Sequence, residues 1–392
     1  MIISGKNEKT VTIKLNTVTP VFIGSGKSFT ANKDFISNSR GCSLDFVNQK
    51  NLEQLIYEKN LFKKYCDHLS MEKESLNQWL LNQKLHNKEF LKKLGIRTAI
   101  AKIKNENANG IDSVAAFIRD VYGKPYIPGT SLKGAMNNVL KCHFLINSDS
   151  EKDQTYFEKK RQEIKNVFEN SDNEEQGENE VKQVLTQLGD ELDAYLEQRL
   201  FSSFNTKSLL PSPILIGDSN HVEESQLAIY QKHDYVLNKK KDKKEVWLPL
   251  YRECLSENTR FNIQGRFDFD RIAGIGCVED LKNALRVQRQ LLLANDGIYS
   301  EFSSEIDRFI PKINEDHESA ILIFLGGGAG FHTKTLLAAL FNNDDAFQSV
   351  THNILNMVKS RDEEDFAPHT IKLANKKIMG ICKLDLKGGD NA

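Results

Sequence analysis

The chain has 392 residues, 39% of them hydrophobic, and 53 Lys and Arg stand against 54 Asp and Glu. That near-neutral balance excludes a protein that grips nucleic acid by bulk charge, though it leaves room for local basic grooves. No apolar run reaches the ~18–20 residues a membrane-spanning helix needs.

The length suits two or three domains. The N-terminus "MIISGKNEKTVTIKL" lacks the apolar segment of a secretory signal. The cysteines (Cys42, Cys66, Cys142, Cys254, Cys277 and Cys382) include no Cys-x-x-Cys pair. A cytoplasmic protein with reduced thiols is therefore expected, with neither a disulfide framework nor a zinc ribbon.

"VTIKLNTVTPVFIGSG" alternates at Val11, Ile13 and Leu15, the period of a half-buried strand. Pro20 ends it or places it at an edge, and Gly24-Ser25-Gly26 makes a turn. "DFIS" and "CSLDFV" are expected as short strands. From about 50 to 95, Leu52, Leu55, Ile56, Leu61 and Phe62 recur at helical spacing, which predicts a helical insertion. In "YGKPYIPGTSLKGAM", Pro125 and Pro128 break regular structure, and Thr130 or Ser131 caps a helix running through Leu140. Residues 148 to 195 are acid-rich, and "ENSDNEEQGENE" predicts a disordered or highly mobile loop between helices.

Strands resume with "PILIGDS", "SQLAIYQKHDYV", "EVWLPLYRE" and "TRFNIQGRFD", and the basic "NKKKDKK" forms a hairpin tip. That tip, beside Trp247 and Tyr251, suits single-stranded nucleic acid, but a solvated tip is the commoner outcome. Helices are expected at about 277–294, 300–308 and 344–359, and "MGICKLDL" closes the chain as a strand.

The stretch "ILIFLGGGAGFHTKTLLAALF", residues 321–341, runs from strand through glycines into a helix. Aligned on Lys334-Thr335 it resembles a P-loop, but Thr333 occupies the second glycine position, where backbone must approach phosphate closely. No apolar strand ending in Asp follows, and Asp218 in "ILIGD" lies upstream. Four glycines in five positions and a following helix N-terminus still suit a phosphate backbone, with His332 and Lys334 as donors. The competing reading is that the glycines serve tight packing alone. Lys133 repeats the design in the first turn of its helix, where a cation invites an anionic partner.

"TPVFIGSG", "YIPGTSLKGAM", "GGGAGFHTKT" and the terminal "PHTIKLA…MGICKLDL" together resemble the RAMP superfamily of CRISPR-associated proteins. Within it, order, spacing and length most resemble the terminal RAMP subunits of type III-A (Csm) effectors. The resemblance implies an α+β protein of two ferredoxin-like (RRM-like) RAMP domains with helical insertions. Their expected extents are 1–150, with the insertion at about 50–95, and 201–392, carrying the glycine-rich loop. An acidic helical or mobile insertion is expected between them at 151–200.

It further implies a non-catalytic subunit of antiviral defence that caps the 3′ end of the guide RNA (crRNA) and contributes to its maturation. The implied partners are crRNA, the neighbouring RAMP backbone subunit, the small subunit and recruited host nucleases, with no cofactor or metal. Carried over by motif, the RNA-facing residues are Gly24, Gly26, Lys27, Arg119, Lys133, Gly326, Gly327, Gly328, Gly330, His332 and Lys334. No base-stacking RRM string is present, so contact with sugar and phosphate is expected rather than with base edges.

The alternative is a RAMP endoribonuclease that processes precursor crRNA. Asp34 lies where a related subunit carries a catalytic aspartate, but no second carboxylate accompanies it for a metal. His332 would need a partner acid or lysine to act as a base. His68, His86, His221, His233 and His317 read as surface residues.

Overall fold

The computed structural model describes residues 7–38, 42–71, 74–104, 108, 110–171, 178–201, 211–237, 245–293, 308–310, 320–331, 333–341, 345–356 and 370–388. The chain opens with β1 (Glu8–Thr17), β2 (Gly24–Thr30), β3 (Phe35–Asn38) and β4 (Ser43–Phe46). Four short helices follow, α1 (Gln49–Glu58), α2 (Phe62–Met71), α3 (Leu76–Asn82) and α4 (Lys88–Lys93). β5 (Arg97–Lys102) and β6 (Ser113–Phe117) lead into α5 (Gly129–Asn147), α6 (Glu151–Ser171) and α7 (Glu178–Leu200). Next come β7 (Ile214–Ile216), β8 (Leu227–Val236), β9 (Glu245–Leu255) and β10 (Arg260–Asp268), then α8 (Val278–Leu285) and α9 (Val287–Leu293). The chain ends with β11 (Ile321–Phe324), α10 (Leu337–Phe341), α11 (Asp345–Asn356), β12 (Thr370–Ala374), β13 (Lys377–Ile378) and β14 (Ile381–Gly388).

β1 is central to a five-stranded sheet of order β11-β14-β1-β10-β7. It pairs antiparallel with β10 (Ile13↔Ile263) and with β14 (Leu15↔Leu384). The alternation read in the sequence buries Val11, Ile13 and Leu15 against Leu132, Met136, Val139 and Leu140 of α5. The path β1-α5-β7-β10-α8-β14 follows the βαββαβ order of a ferredoxin-like unit, with β11 to β13 inserted before its last strand. The second sheet has the order β2-β6-β9-β8-β5-β4-β3, with β12 also on β8 and β13 on β12. These two sheets with their helices make the expected α+β RAMP architecture. Each sheet takes strands from both sides of residues 151–200, so the expected units 1–150 and 201–392 share both sheets rather than dividing them.

The insertion at 50–95 is helical as expected, and α1 to α4 close around their own core of Leu52, Ile56, Tyr65, Leu76, Trp79 and Leu80. The acid-rich segment is helical, one of the two forms expected of 151–200: α6 and α7 occupy it, and 172–177, the centre of the expected loop between helices, lies outside the described residues. They fold because Phe157, Ile164, Leu192 and Leu196 recur at helical spacing and are buried. Asp153 staples the pair. Its carboxylate accepts from Arg199 Nε (2.7 Å), the Tyr195 hydroxyl (2.6 Å) and the Ser148 hydroxyl (2.8 Å).

Two histidines expected at the surface are buried. His68 Nε2 lies 2.7 Å from the Asn32 carbonyl, and His233 stacks flat on Trp247 with centroids 4.0 Å apart. The "NKKKDKK" tip at 238–244, His317 and nearly all of the expected helix at 300–308 lie outside the described residues.

Candidate nucleic-acid interface

The glycine loop connects β11 to α10 and packs on the segment that precedes β2. Gly327 N–H donates to the Phe22 carbonyl (2.7 Å), and Gly380 N–H donates to the Pro20 carbonyl (2.9 Å). Gly326 has φ +83°, and a Cβ there would run into the Phe22 carbonyl oxygen. Tight packing therefore accounts for Gly326. Gly328, at φ +84°, is bare for another reason: a Cβ would collide with Nη1 of Arg252, which reaches in from β9.

Two residues beyond Phe22, the second glycine motif forms a bulge at the edge of the nine-stranded sheet. Gly24 pairs with Phe117 but Ser28 with Ala115, so Ser25 to Lys27 loop out of register. Ser25 Oγ donates to the Ala116 carbonyl (3.2 Å) and accepts from Lys27 N–H (3.3 Å), which fixes the bulge and leaves Gly26 and Lys27 exposed. The fold thus brings Gly24–Lys27 and Gly326–Gly330 together.

The rest of the loop differs from the expected strand-turn-helix. The helix begins only at Leu337 and is five residues long, with Thr335 Oγ1 accepting from Leu337 N–H (3.2 Å). Before it, Phe331 C=O accepts from the amides of Lys334 and Thr335. Thr333 is buried and donates through Oγ1 to the Gly330 carbonyl (3.0 Å). The residue that departs from the P-loop pattern is therefore a structural anchor. Lys334 is exposed at the rim of a cavity of about 360 Å³ lined by Leu185, Leu192, Phe331, Leu336 and Ile354. His332 lies outside the described residues.

The "YIPGTSLKGAM" motif is capped from elsewhere. The N-cap of α5 is Pro128, and neither Thr130 nor Ser131 caps the helix through its side chain. Instead, Asp218 Oδ1 accepts from Gly129 N–H (2.8 Å) and puts a carboxylate at the positive end of the helix. Lys133 Nζ donates to Ser212 Oγ (2.8 Å), and burial holds its ammonium below the usual value despite Glu197 nearby. Arg119 is held by carboxylates. Its guanidinium bonds both oxygens of the fully buried Glu253 (2.6 and 3.1 Å) and Oε2 of Glu224 (2.7 Å). Burial works against its charge, but those carboxylates outweigh the burial and raise its pKa.

The Asp34 carboxylate closes the β2–β3 turn. It accepts from Thr30 N–H (2.8 Å), Thr30 Oγ1 (3.2 Å) and Gln49 Nε2 (3.3 Å). Among the described residues no group of three His, Cys, Asp or Glu stands where it would hold a metal ion.

Sequence reading passed over Arg252, whose guanidinium lies over the Phe22 ring (5.1 Å). The only signal for it was alternation within "EVWLPLYRE", which does not say which loop the strand faces.

The sequence matches the RAMP superfamily over residues 14–341, and the chain belongs to that superfamily. Within it the chain resembles Csm5 proteins. It is 26% identical over 341 residues to the CRISPR system Cms protein Csm5 of Streptococcus thermophilus, covering 84% of this chain and 81% of that one. It is 22% identical over 352 residues to the Csm5 protein of Enterococcus italicus, covering 84% and 80%.

Two solved structures share the fold. One is a chain of a Csm–crRNA–target RNA ternary complex of a type III-A CRISPR-Cas system, with TM-score 0.59, 16% identity, and coverage of 96% of this chain and 100% of that one. The other is T. onnurineus Csm5, with TM-score 0.59, 16% identity, and coverage of 94% and 99%.

Proposed function

We propose that this protein is the RNA-binding terminal RAMP subunit of a type III-A Csm effector, capping the 3′ end of crRNA and supporting its maturation without catalysing cleavage. The observation that carries the proposal is the seating of the Gly326–Gly330 loop on Phe22, two residues before the Gly24–Lys27 bulge, through the Gly327–Phe22 hydrogen bond. Backbone, not bulky side chains, is offered there, and Lys27 adds an exposed cation. Such a surface contacts sugar and phosphate without reading bases, as a subunit serving any guide requires. The RNA-facing set is Gly24, Gly26, Lys27, Arg119, Lys133, Gly326, Gly327, Gly328, Gly330, His332 and Lys334.

The protein works in the cytoplasm, beside a RAMP backbone subunit and the small subunit, with host nucleases as recruited partners. The commitment of Asp34 to its turn supports a structural rather than a nucleolytic role. The test is affinity purification of the tagged chain from its native host, followed by sequencing of bound RNA and incubation with precursor crRNA. Short guide-derived RNA and co-purifying RAMP subunits are expected. Absence of both overturns the assignment, and cleavage lost in Asp34→Ala or His332→Ala overturns the non-catalytic part.

A further inference from the structure

Ser28, Ala115, Arg252, Tyr230 and Lys102 form one row across five strands of the nine-stranded sheet. Ser28 pairs with Ala115, Ala115 and Tyr230 both pair with Arg252, and Lys102 pairs with Tyr230. Residues directly opposite one another in a sheet project from the same face, so Arg252 and Lys102 stand on one face with Tyr230 between them.

Both cations are partly buried and held in place. Lys102 Nζ is 3.2 Å from the Tyr230 hydroxyl and lies 5.1 Å from that ring's centroid. Arg252 lies over Phe22, with Nη1 4.0 Å from Met379 Sδ. Neither is paired with a carboxylate among the described residues.

Several other partly buried cations among the described residues are compensated. Arg97 and Arg119 sit on Glu253, Lys141 on Asp193 and Glu197, and Lys232 and Lys372 on Asp234. A desolvated cation without a counter-charge is costly, and an arriving anion relieves that cost. Two residues before Lys102, on the same face of β5, Ile100 is exposed, and Leu250, in the β9 bulge beside Arg252, is exposed as well, so apolar surface lies open near both charges.

We propose that Arg252 and Lys102 form a phosphate-binding track across this face, continuous with the glycine loop through Gly328, and that its ligand is the backbone of single-stranded RNA. The proposal rests on the RNA-binding reading above and extends it from the loop onto the sheet. The bare Gly328 leaves the Arg252 fork room beside the loop amides, and that planar fork matches a phosphate. Lys102 takes a second phosphate as a point charge. Ile100 and Leu250 give sugars and base faces apolar surface near the charges, a pairing that tolerates any sequence.

The experiment is fluorescence anisotropy of the full chain with labelled poly(rU) and poly(rA) oligonucleotides over a range of salt. Arg252→Gln and Lys102→Gln are each expected to weaken both RNAs on the order of tenfold. Each is also expected to reduce the slope of log K against log salt by about 0.7. Lys92→Gln, on the exposed surface of α4, changes neither. Arg252→Lys keeps the slope but recovers only part of the affinity, and it carries the test if the Gln variant melts early.

Wild-type binding with unaltered variants overturns this assignment alone. Failure of the wild type to bind either RNA overturns the RNA-binding reading and this track with it. An effect confined to one oligonucleotide means base readout and overturns the track. Complex assembly lost without a change in RNA affinity means a protein carboxylate occupies the cations, and also overturns it.

Discussion

Gln288 ties the start of the glycine loop to its far side through Thr333. Its Oε1 accepts from Phe324 N–H (3.2 Å) at the end of β11, and its Nε2 donates to the Thr333 carbonyl (3.0 Å) beyond the glycines. Both residues are buried, so one amide side chain satisfies two backbone groups that water does not reach. Gln288→Leu fills similar space and strands both groups. The expected loss is about 2–4 kcal/mol, read as a lower urea midpoint at unchanged m-value. A midpoint equal to that of the wild type means that the loop is held by other bonds.

Gly129 and Gly134 occupy one helix and predict opposite responses. A Cβ at Gly129 would enter the Ile216 and Gly217 backbone, whereas at Gly134 it meets nothing within 4 Å. Gly134→Ala is expected to stabilise by about 0.5–1 kcal/mol, and Gly129→Ala to destabilise by about 1–3 kcal/mol. Paired thermal melts decide, and the same sign for both contradicts the packing described.

Asp218 caps α5 across a long stretch of sequence, so its removal acts on a helix it does not belong to. Asp218→Ala is expected to cost about 0.5–2 kcal/mol. The distinguishing measurement is amide hydrogen exchange, which should quicken in the first turn of α5 while the last turn stays protected. Uniform change along the helix speaks against capping.

Asp153 makes stability pH-dependent at the acid end. Burial disfavours its charge, yet bonds from Arg199, Tyr195 and Ser148 outweigh this and hold its carboxyl down to about 2. A depressed folded-state pKa stabilises above the unfolded value of about 4, and that stabilisation is lost as pH falls toward 2. The contribution at neutral pH is on the order of 2–3 kcal/mol. Asp153→Asn should unfold more easily at pH 7, with the difference from wild type shrinking between pH 5 and 2. A difference constant over that range excludes the linkage.

Periodicity made much of this fold legible. Val11, Ile13 and Leu15 alternate into the core, and the Leu52–Ile56 face closes the insertion. β5 was missed because "RTAIAK" buries only small Ala99 and Ala101 and exposes Ile100, the reverse of the expected size pattern. For 151–200 helix and mobile loop both stayed open, because charge dominates its composition while a few apolar positions decide the packing of α6 and α7.

At the site, glycines and lysines were visible as types but their partners were not. The carboxylates facing Arg119 and the cap facing Gly129 come from residues far along the chain, and local spacing carries no trace of them. Arg252 was invisible for the same reason: register between strands, not sequence, sets it beside Gly328.

β1 lies between β10 and β14, bonded along both edges by strands that occur late in the chain. During synthesis it must wait, with two open edges, until those strands emerge, so its sheet cannot close from the N-terminal half alone. Such long-range pairing folds slowly and leaves strand edges open to wrong partners meanwhile. A ribosome stalled before β14 would hold a sheet open beside β1, a state that chaperones or an early-binding partner would have to shelter.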